Sequence, residues 1–455
     1  MAGRAAAPAP AAPADAGLLR ALGLWDAVSL IVGTMIGSGI FLMAGSIAAQ
    51  LDSLPATLAA WVFGGALSLA GAVSVAELGA ALPAAGGLYV YINRAYGPAL
   101  GFVYAWSVMA LIHAGGLATL AAAIGLHVGP LLGLSPAGTK GLQLAAIAFF
   151  VVINALGVVV GKWVQNALTL AKVLGLVAMT ALLYWKGSAA LLARQWSHAG
   201  TGTTVVAFGG ALIAVLWAYD GWHFVSFAAG EVREPSRTLP KSLLVGTAIT
   251  CAIYLVVNVS YYAVLPLERL RGNDRVAAAA IGQIFGEGAA VLISLLIAVS
   301  ILGAMNGIML GAARVIMAMA RDGLFFRSLG RVSPRFHTPV VATVVQGAWA
   351  ALFTLVGTFQ ELFTSYVFTA WIFYGLTVGA VLVLRRREPD LPRPYRCPWY
   401  PVAPLFFLVA TLGIVGSAFV TSFRQAMAGI GMILVGLPLY LLFRLVNRRG
   451  APRVS

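Results

Sequence analysis

Long apolar segments recur along the whole chain, with short polar connections between them. An α-helix needs roughly 20 apolar residues to cross the hydrocarbon layer of a bilayer, which is about 30 Å thick. By this criterion the pattern predicts twelve spans, at residues 23–48, 55–80, 98–125, 141–160, 164–185, 205–229, 242–265, 288–318, 338–357, 361–384, 402–421 and 427–446. The chain is therefore predicted to be an all-α polytopic membrane protein.

The composition leads to the same fold class. Of 455 residues, 61% are hydrophobic and 9% are charged, and the mean hydropathy is +0.93. Soluble domains carry roughly 25% charged residues, so a soluble globular protein is excluded. Cys251 lies in an apolar segment and Cys397 in a polar connection, and the five histidines are dispersed. Neither a disulfide framework nor a metal site is predicted, and no cofactor is expected.

The charged residues are distributed unevenly. The net charge is +15, from 29 Lys and Arg against 14 Asp and Glu. With the N-terminus inside, twenty of the 29 basic residues lie in the inner connections, in both tails or at the inner end of the last span (Arg444), and the outer connections hold seven. Because basic residues concentrate in cytoplasmic loops, both termini are predicted to be cytoplasmic, in a multi-pass protein of the cytoplasmic (inner) membrane. The charge thus indicates topology, and no nucleic-acid partner is predicted.

Two of the predicted spans are interrupted near their middle. The first contains GTMIGSGIF, residues 33–41, and the sixth contains WAYDGWHFVSFAAGE, residues 217–231. Unpaired backbone is tolerated at membrane depth only beside a cavity or other protein, because each unsatisfied group costs several kcal/mol in lipid. Matching breaks in two halves of a chain are typical of transporters that bind substrate at the breaks. Close helix packing through Gly33 and Gly37 is the alternative for the first motif.

These motifs resemble the amino acid–polyamine–organocation superfamily, most closely the L-amino acid transporter family and its bacterial amino acid exchangers. IVGTMIGSGIF resembles helix 1 of that family, and AYDGWHFVSFAAGEVREPSRTLPKSL resembles helix 6 and the loop after it. NGIMLGAARVIMAMARDGLFF and RPYRCPWYPVAPLFF are similar to helix 8 and the start of helix 11. The resemblance runs from about Leu18 to Arg444. It implies a LeuT-type fold with 12 transmembrane helices, a 5+5 inverted repeat plus two C-terminal helices.

This resemblance implies a division of the chain. Residues 1–20, which are rich in Ala and Pro and lack the apolar core of a signal peptide, are predicted to be a disordered cytoplasmic tail. The transport core is predicted at 21–385, with inverted repeats at about 21–187 and 203–385. Helices 11 and 12 are predicted at 386–447, and a second cytoplasmic tail at 448–455.

The resemblance also implies a binding site for an L-amino acid. N–H groups after the first break would hold the substrate carboxylate, and these belong to Gly37, Ser38 and Gly39. Backbone carbonyls at both breaks would take the substrate ammonium, and these belong to Met35, Trp217, Ala218 and Asp220. The side chain of Trp217 matches the aromatic gate over the bound substrate.

Lys172 is a charged residue well inside the fifth span. A buried ammonium is costly and marks a pathway or a pair, unless the side chain reaches the interface. In the family this position matches a lysine whose amine reaches helix 1 and replaces a sodium ion. The expected partner is a carbonyl near Gly33 or the hydroxyl of Ser38. A fixed charge would favour sodium-independent exchange, whereas reversible protonation of Lys172 would couple transport to protons.

Other polar residues inside spans have two interpretations each. Tyr261, Asn306 and His223 are candidates for lining the cavity; for Tyr261 and Asn306, a hydrogen bond between helices is the alternative. The carboxylate of Asp220 would attract cationic substrates, or else cap a half-helix or pair with a basic group. Glu77 would serve an inner gate or be solvated at the interface, and Arg314 is predicted to reach the interface. Four charged residues after the second break would form gate ion pairs or a solvated cytoplasmic loop. They are Glu231, Arg233, Glu234 and Arg237.

The predicted function is exchange of neutral L-amino acids, independent of sodium, by alternating access. Proton-coupled symport through Lys172, and carriage of cationic amino acids or polyamines, are the alternatives. No catalytic constellation appears at convincing spacing, so an enzyme is not predicted. Some eukaryotic relatives join an accessory glycoprotein through a cysteine between helices 3 and 4. The corresponding HVGPLLGLSPAGTK contains none, so no disulfide-linked accessory subunit is expected; the predicted partners are the L-amino acid substrate and the lipid bilayer.

Overall fold

In the computed structural model, the structure describes residues 15–198, 202, 204–356, 359–421 and 423–449. Over these ranges the chain is a bundle of helices, and its β structure is one isolated parallel bridge between Leu22 and Val232. The all-α prediction is confirmed, because apolar segments in lipid must satisfy their backbone hydrogen bonds internally.

The first half of the chain folds into nine α-helices. Their bounds are α1 Leu24–Met35, α2 Gly39–Gln50, α3 Leu54–Ala81, α4 Leu88–Tyr96, α5 Pro98–Ser107, α6 His113–Val128, α7 Pro136–Ala155, α8 Val158–Lys186 and α9 Ala189–Ser197. A π-helical turn, Val108–Ile112, joins α5 to α6, so that Pro98–Val128 is one long apolar helix.

The second half repeats the sequence of a broken helix followed by long apolar helices. Its α-helices are α10 Val205–Ala218, α11 Pro235–Val264, α12 Leu267–Leu270, α13 Val276–Phe285, α14 Glu287–Arg321, α15 Val340–Val356, α16 Phe359–Arg387, α17 Val402–Thr421 and α18 Phe423–Arg449. Two 3₁₀ segments, Phe224–Glu231 and Arg327–Gly330, follow α10 and α14.

Each of the twelve predicted spans overlaps one or two of these helices. Among the described residues, nine helices are long and apolar enough to cross a membrane, and a tenth span results if α1 and α2, which meet at 41°, are counted together. The predicted sixth and ninth spans fall on the shorter apolar helices α10 and α15. The arrangement agrees with the LeuT-type fold, while the count of twelve crossings and the limits of the repeats stay predictions.

Contacts between helix ends define two faces of the bundle. At the face that we call the N-terminal face, Arg321 donates to the carbonyl of Ala16 at 2.8 Å and Lys162 donates to that of Ala21 at 3.0 Å. At the opposite face, the N–H of Ser188 donates to the carbonyl of Ala263 at 2.8 Å. α8 therefore runs away from the N-terminal face, and α14 ends at it.

The predicted N-terminal tail is too long. Residues 1–14 lie outside the described residues, but Asp15 accepts a hydrogen bond from the N–H of Ala85 at 2.9 Å, and the carbonyl of Gly17 lies 3.0 Å from Nδ1 of His337. Residues 15–20 are thus packed against the N-terminal face, because their backbone finds polar partners there.

The predicted fourth span is also misplaced at its end. It was expected to continue to residue 160, whereas α7 ends at Ala155 and α8 begins at Val158. Gly157 turns the chain between them with φ of 116°, a conformation that favours glycine. A glycine inside an apolar run gave no indication of this turn.

Candidate substrate site

The first span is broken between Met35 and Gly39. Ile36 leaves the helical conformation with φ −78° and ψ 83°, and α2 starts again at Gly39 after Ser38. The last carbonyls of α1 and the first N–H groups of α2 therefore lack partners within their own helices, and the helix dipoles give them opposite partial charges. The break is buried in the protein, as a break at membrane depth requires.

The second break lies directly against the first. α10 ends at Ala218, and Gly221 turns the chain with φ of 114° before the 3₁₀ segment. A Cβ atom on Gly221 would lie 2.9 Å from the backbone N of Met35, and a Cβ atom on Gly39 would lie 2.7 Å from Cα of Ala218. Glycine is therefore required at both positions for the two broken helices to touch.

A small cavity of about 40 Å³ lies between the two breaks. Small-molecule sites usually enclose roughly 300–1,000 Å³, so this site is contracted, and an amino acid can enter only if its walls move. The walls come from the two broken helices and from α6, α14 and α16, and they include Thr34, Met35, Gly37, Ser38, Gly39, Gly116, Leu120, Trp217, Asp220, Phe224, Ala304, Ile308 and Tyr366. Of the predicted substrate-binding residues, all but Ala218 line this cavity.

Two of the four carbonyls that were expected to take an ammonium already accept a side-chain hydrogen bond in this conformation. The hydroxyl of Tyr254, on α11, lies 2.7 Å from the carbonyl oxygen of Met35 and 2.9 Å from that of Ala218. A phenol has one proton to donate, so the two carbonyls share it. Tyr254 thus joins the C-terminal ends of both half-helices. The sequence analysis missed it, because one tyrosine in an apolar helix carries no distinguishing pattern.

The three N–H groups predicted to hold a carboxylate are not all free to do so. The N–H of Gly37 donates to the carbonyl of Met35 at 2.9 Å, which differs from the prediction because the chain forms a tight turn at the break. Gly39 is the first residue of α2, where N–H groups have no intrahelical acceptor. The hydroxyl of Ser38 is buried and makes no hydrogen bond within the described part of the chain. Ser38 and Gly39 therefore offer the donors at this break.

Trp217 and Asp220 are both half-buried at the second break and line the cavity. The hydroxyl of Tyr374, on α16, donates to the carboxylate of Asp220 at 2.8 Å. No basic residue pairs with Asp220 within the described residues, contrary to one of the predicted alternatives. Its carboxyl group therefore gives the cavity an acidic wall.

Lys172 is completely buried and points from α8 to the first break. Its ammonium donates to the carbonyls of Gly33 at 2.8 Å, Ile36 at 2.6 Å and Ser300 at 2.7 Å. An ammonium has three protons, so all of them are used. Gly33 is one of the two expected partners, whereas Ser38 does not contact Lys172. A side chain that reaches the interface is excluded, because Lys172 is instead anchored on α1 and α14.

The three candidates for lining the cavity lie elsewhere. Asn306 donates to the carbonyl of Gly161 at 3.0 Å and to the amide oxygen of Gln165 at 2.8 Å, so it connects α14 to α8. Tyr261 is buried, and its hydroxyl makes no hydrogen bond within the described residues. His223 packs its ring 4.6 Å from that of Tyr374. None of the three lines the cavity in this conformation, and Asn306 makes the hydrogen bond between helices that was its alternative.

Two buried carboxylates hold the N-terminal face together. Arg314 donates to both oxygens of Glu231, at 2.8 and 2.9 Å, and both side chains are completely buried. Arg314 was predicted to reach the interface; it does not, because this paired partner lies in the 3₁₀ segment. Glu77 accepts from Nη2 of Arg385 at 2.6 Å and lies 3.4 Å from Arg393, so it is an ion-pair centre rather than a solvated group.

Asp322, just after α14, adds a third carboxylate to this face. It accepts hydrogen bonds from the hydroxyl of Tyr89 at 2.6 Å and from the amide of Asn93 at 3.0 Å. Burial raises the pKa of the Asp322 carboxyl above its ordinary value, and the two hydrogen bonds oppose this effect. The other predicted pairs are exposed: Glu234 and Arg237 lie 3.9 Å apart in solvent.

Known proteins resemble this chain over almost its whole length. The amino acid permease family model matches residues 22–443. The serine/threonine exchanger SteT of Bacillus subtilis is 33% identical over 94% of this chain and 97% of its own length. The human b(0,+)-type amino acid transporter 1 is 31% identical over 95% of this chain and 89% of its own. The human cystine/glutamate transporter is 27% identical over 95% and 87%. This multi-pass membrane protein therefore belongs to the amino acid permease family, within the amino acid–polyamine–organocation superfamily that its two broken-helix motifs resemble.

Proposed function

We propose that this protein exchanges neutral L-amino acids across the cytoplasmic membrane by alternating access, without sodium. The observation that carries the proposal is the ammonium of Lys172, which donates to three backbone carbonyls beside the first break. Unwound carbonyls coordinate sodium in sodium-coupled transporters of this architecture. With a fixed cation already on these oxygens, a sodium ion has neither free ligands nor favourable electrostatics there.

The two breaks supply both halves of an amino acid site. The N–H groups of Ser38 and Gly39 would bind the carboxylate at the positive end of α2. The carbonyls at the negative ends of α1 and α10 would take the ammonium, with displacement of the hydroxyl of Tyr254; those carbonyls belong to Met35, Trp217, Ala218 and Asp220. The indole of Trp217 would close over the substrate as a gate.

The small cavity favours small substrates. One relative is named a serine/threonine exchanger, and a volume of about 40 Å³ needs less widening for serine, threonine or alanine than for an aromatic side chain. We infer that these small neutral amino acids are preferred. The protein would work without a disulfide-linked accessory subunit, since the loop between α6 and α7 has no cysteine. The N-terminal face, which carries the excess of basic residues, would be cytoplasmic.

Counterflow in liposomes tests this proposal. The purified protein is reconstituted without sodium and without a pH gradient, and uptake of labelled serine is compared between vesicles with and without internal serine. Exchange predicts uptake that depends on internal amino acid. Equal uptake in both vesicles would contradict exchange, and uptake restored by an inward proton gradient would make the protein a proton-coupled symporter instead.

A second candidate function is carriage of cationic amino acids, favoured by the carboxylate of Asp220. It faces the cavity and has a tyrosine hydroxyl, not a cation, as its hydrogen-bond partner. Because charge-assisted hydrogen bonds contribute about 1.5–3 kcal/mol, Asp220→Asn is expected to lower arginine transport roughly tenfold or more relative to serine transport. The ratio of arginine to serine counterflow measures this effect, with Asp322→Asn as a control outside the cavity. An unchanged ratio would remove this candidate.

A further inference from the structure

A long apolar groove opens on the lipid-facing side of the protein, away from the substrate site. It has a volume of about 420 Å³ and is formed by α3, α11 and the start of α17. Small side chains create the space, since Ala66 and Ala70 on α3 face Ala403 on α17. The groove begins at Trp399, whose side chain is 77% exposed, at the N-terminal face of the bundle.

Two basic residues lie close along the chain to residues of the groove. Lys241 precedes the groove residue Leu244 by one helical turn on α11, so the two side chains share a face. Arg396 precedes Trp399 by three residues, and both cations are exposed. Neither of them forms an ion pair within the described part of the chain. An indole at the interface beside free cations is the chemistry that recognises a phospholipid headgroup.

We propose that this groove binds one anionic phospholipid, with an acyl chain along Ala70 and Ala403 and its phosphate at Lys241 and Arg396. The apolar walls suit the hydrocarbon chain, and two cations without partners suit an anionic rather than a zwitterionic headgroup.

The bound lipid would also stabilise the helices that pack against the substrate site. Gly71, next to Ala70 on α3, has the ring of Trp222 on its other side, where a Cβ atom would lie 2.7 Å from it. Phe407, next to the groove residue Phe406, packs its ring 5.9 Å from Trp222. Trp222 belongs to the second break. The helices that form the groove are thus packed directly against the second break.

Native mass spectrometry of the purified full chain tests the binding. Phosphatidylglycerol and phosphatidylcholine with the same acyl chains are added in turn, and the first bound lipid is titrated. Since each cation near a membrane surface contributes about 1 kcal/mol, phosphatidylglycerol is expected to bind roughly 10- to 30-fold more tightly. The double variant Lys241→Ala/Arg396→Ala is expected to lose this difference. Arg335→Ala, an exposed cation of the loop after α14, is the matched control that retains it.

A second pair of variants tests the acyl chain. Ala403→Trp fills the groove and is expected to abolish the first phosphatidylglycerol, whereas Leu412→Trp, on the lipid-exposed side of α17, is expected to retain it. Ala70→Leu gives a smaller obstruction if Ala403→Trp does not fold. Equal affinity for the two lipids, or retention of the first phosphatidylglycerol by folded groove-filling variants, would overturn the proposal. Because the readout is binding, it is independent of whether the protein exchanges amino acids.

Discussion

At the scale of single residues, Lys172 and Tyr254 do the same thing with different chemistry: each satisfies backbone carbonyls that a broken helix leaves exposed. Lys172 does so with three protons and a full charge, and Tyr254 with one proton that two carbonyls share. The former anchors the first break to α8 and α14. The latter links the first break to the second.

Replacing the lysine is expected to disable exchange. Lys172→Ala leaves the buried carbonyl of Gly33 without a donor, at about 1–3 kcal/mol, and frees the first break from α8; the carbonyl of Ile36 keeps the hydroxyl of Ser300 at 2.9 Å. We expect exchange to fall more than tenfold, together with a lower unfolding temperature. Counterflow and thermal unfolding measure both effects, and Lys186→Ala, an exposed cation at the end of the same helix, is the control. Full exchange by Lys172→Ala would refute the role given to this residue.

Removing the tyrosine hydroxyl is expected to alter substrate affinity. Tyr254→Phe deletes one shared hydrogen bond, with a net contribution of about 1 kcal/mol, that the substrate ammonium would otherwise have to displace, so the apparent KM for serine should fall roughly fivefold. The matched control is Tyr261→Phe, two turns further along α11, whose hydroxyl makes no hydrogen bond within the described residues. An equal KM for Tyr254→Phe and Tyr261→Phe would contradict an effect of the Tyr254 hydroxyl on substrate affinity.

At the scale of elements, the two breaks depend on glycine. Gly221→Ala adds a side chain where φ is 114° and where the backbone of Met35 lies 2.9 Å away, so we expect a loss of about 1 kcal/mol or more in stability and reduced exchange. Gly209→Ala, in α10 with open space around it, should be neutral or slightly stabilising. The unfolding temperatures of the two variants are compared. Equal stability of Gly221→Ala and Gly209→Ala would contradict a close contact between the two breaks.

The sequence predicted the positions of the helices and of their breaks better than the contacts that their side chains make. Apolar length located the helices, and the glycines of residues 33–41 together with Gly221 located both breaks. It could not identify Ile308 or Tyr366 as cavity walls, because one apolar side of a fully apolar helix resembles another. The pair of Glu231 and Arg314 was missed for a related reason: 83 residues separate them, and no local pattern reports a contact over that distance.

At the scale of the whole molecule, the structure is closed at the N-terminal face. The segment from Asp15 to Leu22 lies across it and contacts the turn before α4, the end of α14 and the 3₁₀ segment. Buried ion pairs join α3 to α16 and the 3₁₀ segment to α14. In the proposed alternating-access cycle this face has to open, and contacts of this kind would then have to break.

Cys397 offers a readout of that separation. Its thiol is buried beside Glu77, which accepts the N–H of Cys397 at 2.6 Å, and burial raises the pKa of the thiol to about 11. Since the thiolate is the reactive form, maleimide labelling of Cys397 in a Cys251→Ala background is expected to be slow at neutral pH and to rise about tenfold per pH unit up to about pH 11.

Breaking the ion-pair centre should accelerate this labelling. Glu77→Gln removes the charge that holds Arg385 and Arg393, so the face opens more often; loss of the neighbouring negative charge also lowers the pKa of the thiol. Glu388→Gln is the control, because it pairs with Arg94 at the exposed edge of the same face. Faster labelling with Glu77→Gln alone, and protection when residues 15–22 are cross-linked to the 3₁₀ segment, would mean that the whole face opens. Equal labelling of both variants would mean that Glu77 stabilises the protein without controlling access.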